Sequence, residues 1–261
     1  MPITRPFPSD WKNKKMIVFD LDGTLTASKA PLGRSAALLL HALLEKKKVA
    51  VISGGTFLRF RTQIISPLRR FAGKKVRFEN LFLFPTTAMS FYRYRGRWEK
   101  VYERKFSVRE RRKILWAFQR ALEAEHYRPR RHYGKIVEDR GTEVTFSALG
   151  QRAPLGAKRK WEKKRDIRPE LLRVLKRLLP GYKEEMGGLT SIDVTKKGVD
   201  KAYGIREIER YVRVGPSDIL FAGDALYRGG NDSPVLRTGV AHCAVKSPKE
   251  TERLIRFLVA E

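Results

Sequence analysis

Asp20 and Asp22 are the residues from which chemistry is first expected in this sequence. They close the apolar run 16–19 with one residue between them, and Gly23 follows directly. A short apolar run that ends in Asp-Gly predicts a buried strand feeding a tight turn. Ligands of open α/β sheets bind beyond the carboxyl ends of the strands. Two carboxylates at that position therefore indicate chemistry rather than packing.

Other structures can begin with the same pattern. An EF-hand loop that started at Asp20 would need a glycine at its sixth position and a glutamate at its twelfth, where Leu25 and Pro31 stand. That excludes a calcium loop of this type. An Asp-Gly pair also forms ordinary turns between strands, so a purely structural role is the alternative for this segment taken alone. The histidines lack zinc-ligand spacing, and no P-loop motif is present.

Three further segments place polar residues where strands or helices are predicted to end or begin. Ser53 follows the apolar run 49–52, Lys201 begins a predicted helix, and Asp224 follows the apolar run 219–222. A Gly-Gly-Asn-Asp cluster at 229–232 comes shortly after. In this order, and together with the Asp-Leu-Asp-Gly-Thr segment that starts at Asp20, they resemble the four signatures of the haloacid dehalogenase (HAD) superfamily.

The resemblance implies phosphoryl transfer through an aspartyl phosphate. A phosphate ester repels nucleophiles by its own charge, so a site needs a cation, positioned donors and an in-line nucleophile. Asp20 matches the nucleophile, which attacks phosphorus and becomes covalently phosphorylated. Asp22 matches the general acid and base, which protonates the leaving oxygen and then activates the acceptor oxygen.

The same resemblance implies a metal site made of carboxylates. Its candidate ligands are Asp20, Asp22, Asp224 and Asp232. Several negative charges held together are costly without a counter-ion, and all-oxygen ligation beside phosphate suits Mg²⁺. The expected cofactor is therefore Mg²⁺.

The phosphate group is expected to be bound by Ser53, Gly54 and Lys201. A hydroxyl, a backbone amide and an ammonium group can each stabilise phosphoryl oxygens. Thr56 is an alternative hydroxyl donor to Ser53, because it lies only three residues further on.

Within the superfamily, the chain resembles the eukaryotic-type phosphomannomutases over most of its length. The segments 19–26, 187–201 and 223–232 carry this resemblance. It implies that an inserted cap domain binds the substrate, with these candidate residues: Arg140, Gln151, Lys158, Ser191 and Asp193.

The cap also departs from that family's pattern. In that family, three cap arginines hold the phosphate that is not reacting. Only Arg140 matches them in this chain, because Gln151 and Lys158 stand at the other two positions. Arg152 and Arg159 lie one residue away, so a local shift could restore the charge. Arginine binds phosphate with a planar fork that lysine and glutamine lack. A weakened clamp favours attack by water on the aspartyl phosphate.

Composition limits the class of protein. The 261 residues are 42% hydrophobic, enough for one large or two modest domains with real cores. The single cysteine excludes internal disulfides, and no signal-peptide pattern or membrane-spanning apolar run is present, so a cytoplasmic location is expected. The formal net charge of +28 favours non-specific, salt-sensitive association with nucleic acid.

Alternating strand and helix patterns predict an α/β fold with a HAD-like Rossmannoid core, a parallel sheet and an inserted α+β cap. The core is expected over residues 1–85 and 187–261, and the cap over 86–186. The cap pattern reads as a hairpin, a helix, two strands, a helix and a final strand. A homodimer formed through the cap is also expected.

The predicted function is Mg²⁺-dependent phosphotransfer on a sugar phosphate, with hydrolysis as the first expectation. The alternative is a phosphomannomutase that interconverts mannose 6-phosphate and mannose 1-phosphate. A more remote alternative is a basic nucleic-acid-binding protein with a vestigial HAD site.

Overall fold

The computed structural model describes residues 7–129, 131–164, 166–187 and 189–260. The outermost residues of the predicted core, 1–6 and 261, therefore lie outside the described residues, as does Gly188 in the 187–201 segment. The chain divides into two compact units, the first formed by residues 1–103 and 199–261 and the second by residues 104–198.

The strands, in chain order, are β1 Met16–Asp20, β2 Lys48–Ile52, β3 Leu81–Phe84, β4 Ser90–Arg95, β5 Arg97–Glu103, β6 Val137–Asp139, β7 Val144–Ser147, β8 Tyr182–Gly187, β9 Ser191–Lys196, β10 Ile219–Gly223 and β11 Ala241–Ala244. The helices are α1 Arg34–Lys46, α2 Phe57–Phe60, α3 Ser66–Ala72, α4 Pro85–Ala88, α5 Val108–Ala124, α6 Leu155–Lys164, α7 Arg168–Leu178, α8 Lys201–Ile208 and α9 Pro248–Val259. A π-helical segment, Arg61–Ile65, joins α2 to α3, and a second one, Glu209–Arg213, continues α8.

The first unit is built on a seven-stranded sheet in the order β11-β10-β1-β2-β3-β4-β5, in which β11 to β3 run parallel. Every residue of β1 is buried, because helices cover both faces of the sheet. Ile17 and Phe19 face a core shared with α1, α3 and α9, whereas Met16 and Val18 face a core shared with α8. Asp20 is the last residue of this buried strand and lies at its carboxyl end.

The hairpin β4-β5 belongs to the first unit and not to the predicted cap. It turns at Gly96, which has φ 71, and β4 pairs antiparallel with β3. Phe91 stacks on Phe84 with ring centroids 4.5 Å apart. The predicted start of the insertion at residue 86 therefore moves to 104, because the hairpin extends the core sheet by pairing β4 with β3.

The second unit is a four-stranded antiparallel sheet in the order β6-β7-β9-β8, with α5, α6 and α7. Val144, Phe146, Ile192 and Val194 share a buried core with α5 and α7. Because β8 and β9 complete this sheet, the unit ends at residue 198 and not at 186 as predicted. β8 and α6 are elements that the sequence analysis did not predict.

No helix within the described ranges combines the length and the hydropathy needed to cross a membrane.

Removing the Phe91 ring tests the placement of the hairpin. We expect Phe91→Ala to destabilise the first unit by about 3–5 kcal/mol, because a fully buried aromatic side chain is lost from the core. Leu236→Ala is the matched control, since Leu236 is 47% exposed in the same unit. Urea unfolding followed by circular dichroism measures both. Equal unfolding midpoints for the two variants would contradict the assignment.

Candidate active site

The end of β1 brings several of the predicted residues to one edge of the sheet. Asp20 is opposite Ile52 of β2, and Phe19 is opposite Ala222 of β10. Ser53 and Asp224 therefore follow the two strands that flank Asp20. This register explains why residues far apart in sequence meet at the carboxyl end of the parallel strands.

A buried ammonium group joins two of the carboxylates. Lys201 Nζ donates to Asp20 Oδ1 at 2.6 Å and also to Asp232 Oδ1. Asp20, Lys201 and Asp232 are 5%, 3% and 0% exposed. Asp200 caps α8 by accepting from the backbone N–H of Tyr203 at 2.9 Å, which fixes where the helix begins and hence where Lys201 lies.

Burial controls the protonation of this group. It raises the pKa of Asp20 to about 6, with Lys201 opposing that shift and Asp232 adding to it. Burial also disfavours the charged form of Lys201, but the two carboxylates outweigh it and the pKa of Lys201 is raised. Asp232 accepts a further bond from the Ala225 N–H at 2.8 Å. Lys201 therefore stays charged while it holds both carboxylates.

Three carboxylates at this edge fit a hard divalent cation. Oxygen atoms of Asp20, Asp224 and Asp232 lie within 4.8 Å of one another. Gly23 has φ 89, and a Cβ there would come within 2.8 Å of Asp224 Cγ, so only glycine lets this carboxylate approach. An all-oxygen donor set of this kind suits Mg²⁺ rather than a thiophilic metal.

The carboxylate of Asp22 lies outside that group within the described residues. Arg59 Nη2 donates to its two oxygens at 2.9 and 3.1 Å, the Lys29 N–H donates at 2.6 Å, and Gln63 Nε2 donates at 3.3 Å. Of the four predicted metal ligands, the structure thus groups three and holds the fourth on separate donors.

Arg59 and Gln63 are residues that the sequence analysis missed. They lie four positions apart, Arg59 on α2 and Gln63 in the π-helical segment Arg61–Ile65, and Arg59 Nε donates to Gln63 Oε1 at 3.2 Å. Gln63 is 3% exposed. The available signal was a polar pair at helical spacing just after Ser53, but such pairs also occur on solvated helix faces.

The loop after β2 holds Ser53 and Gly54. Ser53 is buried and its Oγ accepts from the Gly55 N–H at 3.2 Å, whereas Gly54 and Thr56 are exposed. The geometry leaves both Ser53 and Thr56 as candidate donors to a ligand at this edge.

A turn with left-handed backbone angles is hydrogen-bonded to the loop that holds Ser53 and Gly54. Thr86, Thr87 and Ala88 have φ values of 50, 54 and 64, a region that non-glycine residues seldom adopt. The Thr86 and Thr87 N–H groups donate to the carbonyls of Gly55 and Ser53, each at 2.9 Å. Backbone strain of this kind costs about 1–3 kcal/mol per residue and often occurs at functional sites. The sequence Pro-Thr-Thr-Ala has no pattern that predicts this left-handed conformation.

In the second unit, four of the five predicted cap residues share the polar face of the sheet, and the fifth, Lys158, lies on α6. Arg140 donates to Glu138 at 2.9 Å, to Glu143 at 2.7 Å and to Gln151 at 2.8 Å. Thr145 donates to Asp193 at 2.7 Å, and the hydroxyls of Ser147 and Ser191 are 3.1 Å apart. The register of β7 with β9, which pairs 145 with 193 and 147 with 191, produces both contacts.

Carboxylates dominate that face. Burial raises the pKa values of Glu143 and Asp193, and Asp193 adds to the shift of Glu143. Two glutamates already balance the charge of Arg140. Lys158 lies apart on α6 and makes no hydrogen bond or ion pair with this group in the described part of the chain. Four of the five predicted cap residues are thus brought together.

Comparisons with known proteins identify relatives over most of the chain. The family model for eukaryotic phosphomannomutase matches residues 39–261. The phosphomannomutase of Saccharomyces cerevisiae is 26% identical over 255 residues, covering 95% of this chain and 95% of that protein. The phosphomannomutase of Encephalitozoon cuniculi is 25% identical over 265 residues, covering 93% and 92%.

Solved structures of low sequence identity share the fold. The IMP-bound, N-terminally truncated IMP-nucleotidase of Plasmodium falciparum gives a TM-score of 0.65 at 14% identity, over 95% of this chain and 68% of that chain. Trehalose-6-phosphate phosphatase of Aspergillus fumigatus gives 0.60 at 16% identity, over 96% of each chain. The predicted HAD-type α/β fold with an inserted α+β cap is thereby confirmed.

Arg59 is expected to position Asp22. We expect Arg59→Ala to lower kcat for an aryl phosphate about ten- to a hundredfold with little change in KM, because Asp22, the predicted general acid and base, would lose its orientation while the substrate would lose no contact. Arg59→Lys should restore part of the rate. Arg61→Ala, an exposed neighbour, is the control. An unchanged kcat in Arg59→Ala would rule out the positioning role.

Proposed function

The chain belongs to the eukaryotic phosphomannomutase family, and from this premise we propose that it moves a phosphoryl group between oxygen atoms of a hexose phosphate. It is an enzyme of HAD type that acts on phosphate. The observation that carries the proposal is the buried contact of Lys201 with Asp20 and Asp232 at the ligand-binding edge of the sheet.

Asp20 acts as the nucleophile. One of its carboxylate oxygens attacks phosphorus, the bond from phosphorus to the sugar oxygen breaks, and Asp22 gives that oxygen a proton. In the second half of the reaction, Asp22 takes a proton from an acceptor hydroxyl as that oxygen attacks phosphorus. The bond between phosphorus and Asp20 then breaks, and Asp20 leaves as a carboxylate. Lys201 keeps a positive charge beside Asp20 throughout, and Ser53 with Gly54 donates to phosphoryl oxygens.

Asp20, Asp224 and Asp232 would hold Mg²⁺. The support is their all-oxygen donor set within 4.8 Å and the glycine that lets Asp224 approach. When bound there, Mg²⁺ would supply the charge that offsets repulsion between the phosphate and the nucleophile.

The mutase reaction is the preferred form of this transfer. Gln151 and Lys158 in place of two clamp arginines favour hydrolysis, but the relatives that match almost the whole chain carry the name phosphomannomutase. Their names support the alternative over that first expectation. The sugar phosphate is accordingly proposed to be mannose 6-phosphate or mannose 1-phosphate.

Hydrolysis stays the second candidate because of the contacts that Arg140 makes in the second unit. Arg140 already pairs with Glu138 and Glu143 and donates to Gln151, so little of its charge is left for a second phosphate. If the acceptor sugar phosphate is held weakly, water attacks the aspartyl phosphate in its place, and the bond between phosphorus and Asp20 breaks to release free phosphate. The predicted homodimer, the cytoplasmic location and the salt-sensitive association with nucleic acid stay predictions.

Product analysis decides between the two reactions. With mannose 6-phosphate and a bisphosphate activator, we expect mannose 1-phosphate to exceed free phosphate, because an acceptor hydroxyl intercepts the aspartyl phosphate. Gln151→Arg should raise that ratio further by adding a bidentate phosphate donor. Asp20→Asn should abolish both products. Predominant release of free phosphate by the wild-type enzyme would establish the phosphatase instead.

Metal dependence is tested with the same assay. We expect EDTA to remove activity and Mg²⁺ to restore it, since the carboxylate cluster needs a counter-ion. Asp224→Ala should stay inactive at Mg²⁺ concentrations that saturate the wild type. Asp218→Ala, on the opposite end of the sheet, is the control and should retain activity. Full activity in excess chelator would refute the metal assignment.

A further inference from the structure

A basic pocket of about 460 Å³ lies in the first unit at the end of the sheet opposite Asp20. Lys15 directly precedes β1, Lys48 begins β2 and Asp218 directly precedes β10, so the pocket opens where these parallel strands start. Its lining residues are Asn13, Lys14, Lys15, Glu45, Lys46, Lys47, Lys48, Arg77, Asn80, Arg213, Val214 and Asp218.

Positive charge in this lining exceeds negative charge by five. Seven lysines and arginines line the pocket with two acids. Asp218 pairs with Lys15 at 3.0 Å, and Glu45 pairs with Arg77 at 3.9 Å. The other five cations are Lys14, Lys46, Lys47, Lys48 and Arg213, and none of them has an ion pair with a carboxylate of the described residues. A concave wall with this excess concentrates anions.

Backbone carbonyls hold three of those ammonium groups in place. Lys47 Nζ donates to the carbonyls of Lys12 and Lys14 at 2.6 and 2.8 Å. Lys14 Nζ donates to Ser217 O at 2.8 Å, and Lys46 Nζ donates to Val259 O at 2.7 Å. Carbonyls orient an ammonium group without neutralising it. Burial, and next the charge of Lys46, lower the pKa of Lys47, a cost that a bound anion would relieve.

Arg213 reaches the pocket from a strained backbone. It has φ 56 and ends the π-helical segment Glu209–Arg213. Single π-helical turns and left-handed non-glycine residues both occur preferentially at functional sites. The strained backbone thus places a further positive charge beside the four lining lysines that have no carboxylate partner among the described residues.

We propose that this pocket binds a small polyanion with two or more phosphate groups, at a site separate from the catalytic edge. Its volume matches that of small-molecule sites, about 300–1,000 Å³. The five residues of β1 span roughly 17 Å, so a ligand here and a substrate at Asp20 occupy separate positions. None of the lining residues is aromatic, so the pocket lacks the stacking surface with which proteins bind single-stranded nucleic acid.

Calorimetric titration of inorganic tripolyphosphate into the full chain tests the site. EDTA is present to remove metal-dependent binding at the carboxylate cluster. The test variant is Lys48→Gln with Arg213→Gln, because neither side chain makes a hydrogen bond or ion pair in the described residues. The matched control is Lys246→Gln with Lys249→Gln, which removes the same charge from exposed positions of the same unit. Circular dichroism checks that all variants fold.

We expect the wild type and the control variant to bind tripolyphosphate alike, and the test variant to bind it at least about tenfold more weakly. Lys48→Gln with Arg213→Lys should recover part of the affinity. Orthophosphate should bind more weakly than tripolyphosphate. An equal loss in test and control variants would mean a diffuse charge effect and overturn the proposal. No binding of tripolyphosphate to the wild type would also overturn it. So would binding of an oligothymidylate that requires Lys48 and Arg213, if binding of tripolyphosphate does not require them. These results do not depend on which sugar phosphate the enzyme uses.

Discussion

The buried contact of Lys201 with Asp20 and Asp232 is the interaction on which the arrangement of the first unit depends. Removing ions from water costs several kcal/mol each, and the cost is offset only when partners are close and well oriented. One ammonium group offsets part of two carboxylates, and the exposed Asp224 completes an acidic cluster with them. Helix α8 must therefore begin at Lys201, and β10 must run beside β1, for the charges to be tolerated.

The two carboxylates separated by a single residue, Asp20 and Asp22, acquire different surroundings. Asp20 ends a fully buried strand, so burial raises its pKa to about 6. Asp22 lies in the following turn, where Arg59, Gln63 and the Lys29 N–H all donate to it. One carboxylate is thus placed in the three-carboxylate cluster and the other is oriented by nitrogen donors, an arrangement that suits the proposed nucleophile and the proposed acid and base.

Charge is distributed unevenly over a chain whose formal net charge is +28. On the polar face of the second unit, Arg140 is balanced by Glu138 and Glu143, so that face is suited to hydroxyl groups at least as well as to phosphate. The amino end of the core sheet instead gathers five cations without acidic partners in the pocket lining. The net charge of the chain therefore predicts neither the balanced charge on the polar face of the second unit nor the excess of positive charge in the pocket.

The sequence by itself determined the Asp20 strand and the order of the site segments, because apolar runs that end in polar residues are local patterns. The HAD-type fold was implied by the resemblance of these ordered segments to that superfamily. It also identified three carboxylates that do meet. The tertiary structure decided that Asp22 pairs with Arg59, that the hairpin Ser90–Glu103 joins the core sheet, and that Gln151 bonds Arg140. The strained turn at Thr86–Ala88 could not be predicted from the sequence either. Each of these depends on which surfaces meet across long separations, and side-chain pairing and strand partners are properties of packing rather than of local sequence.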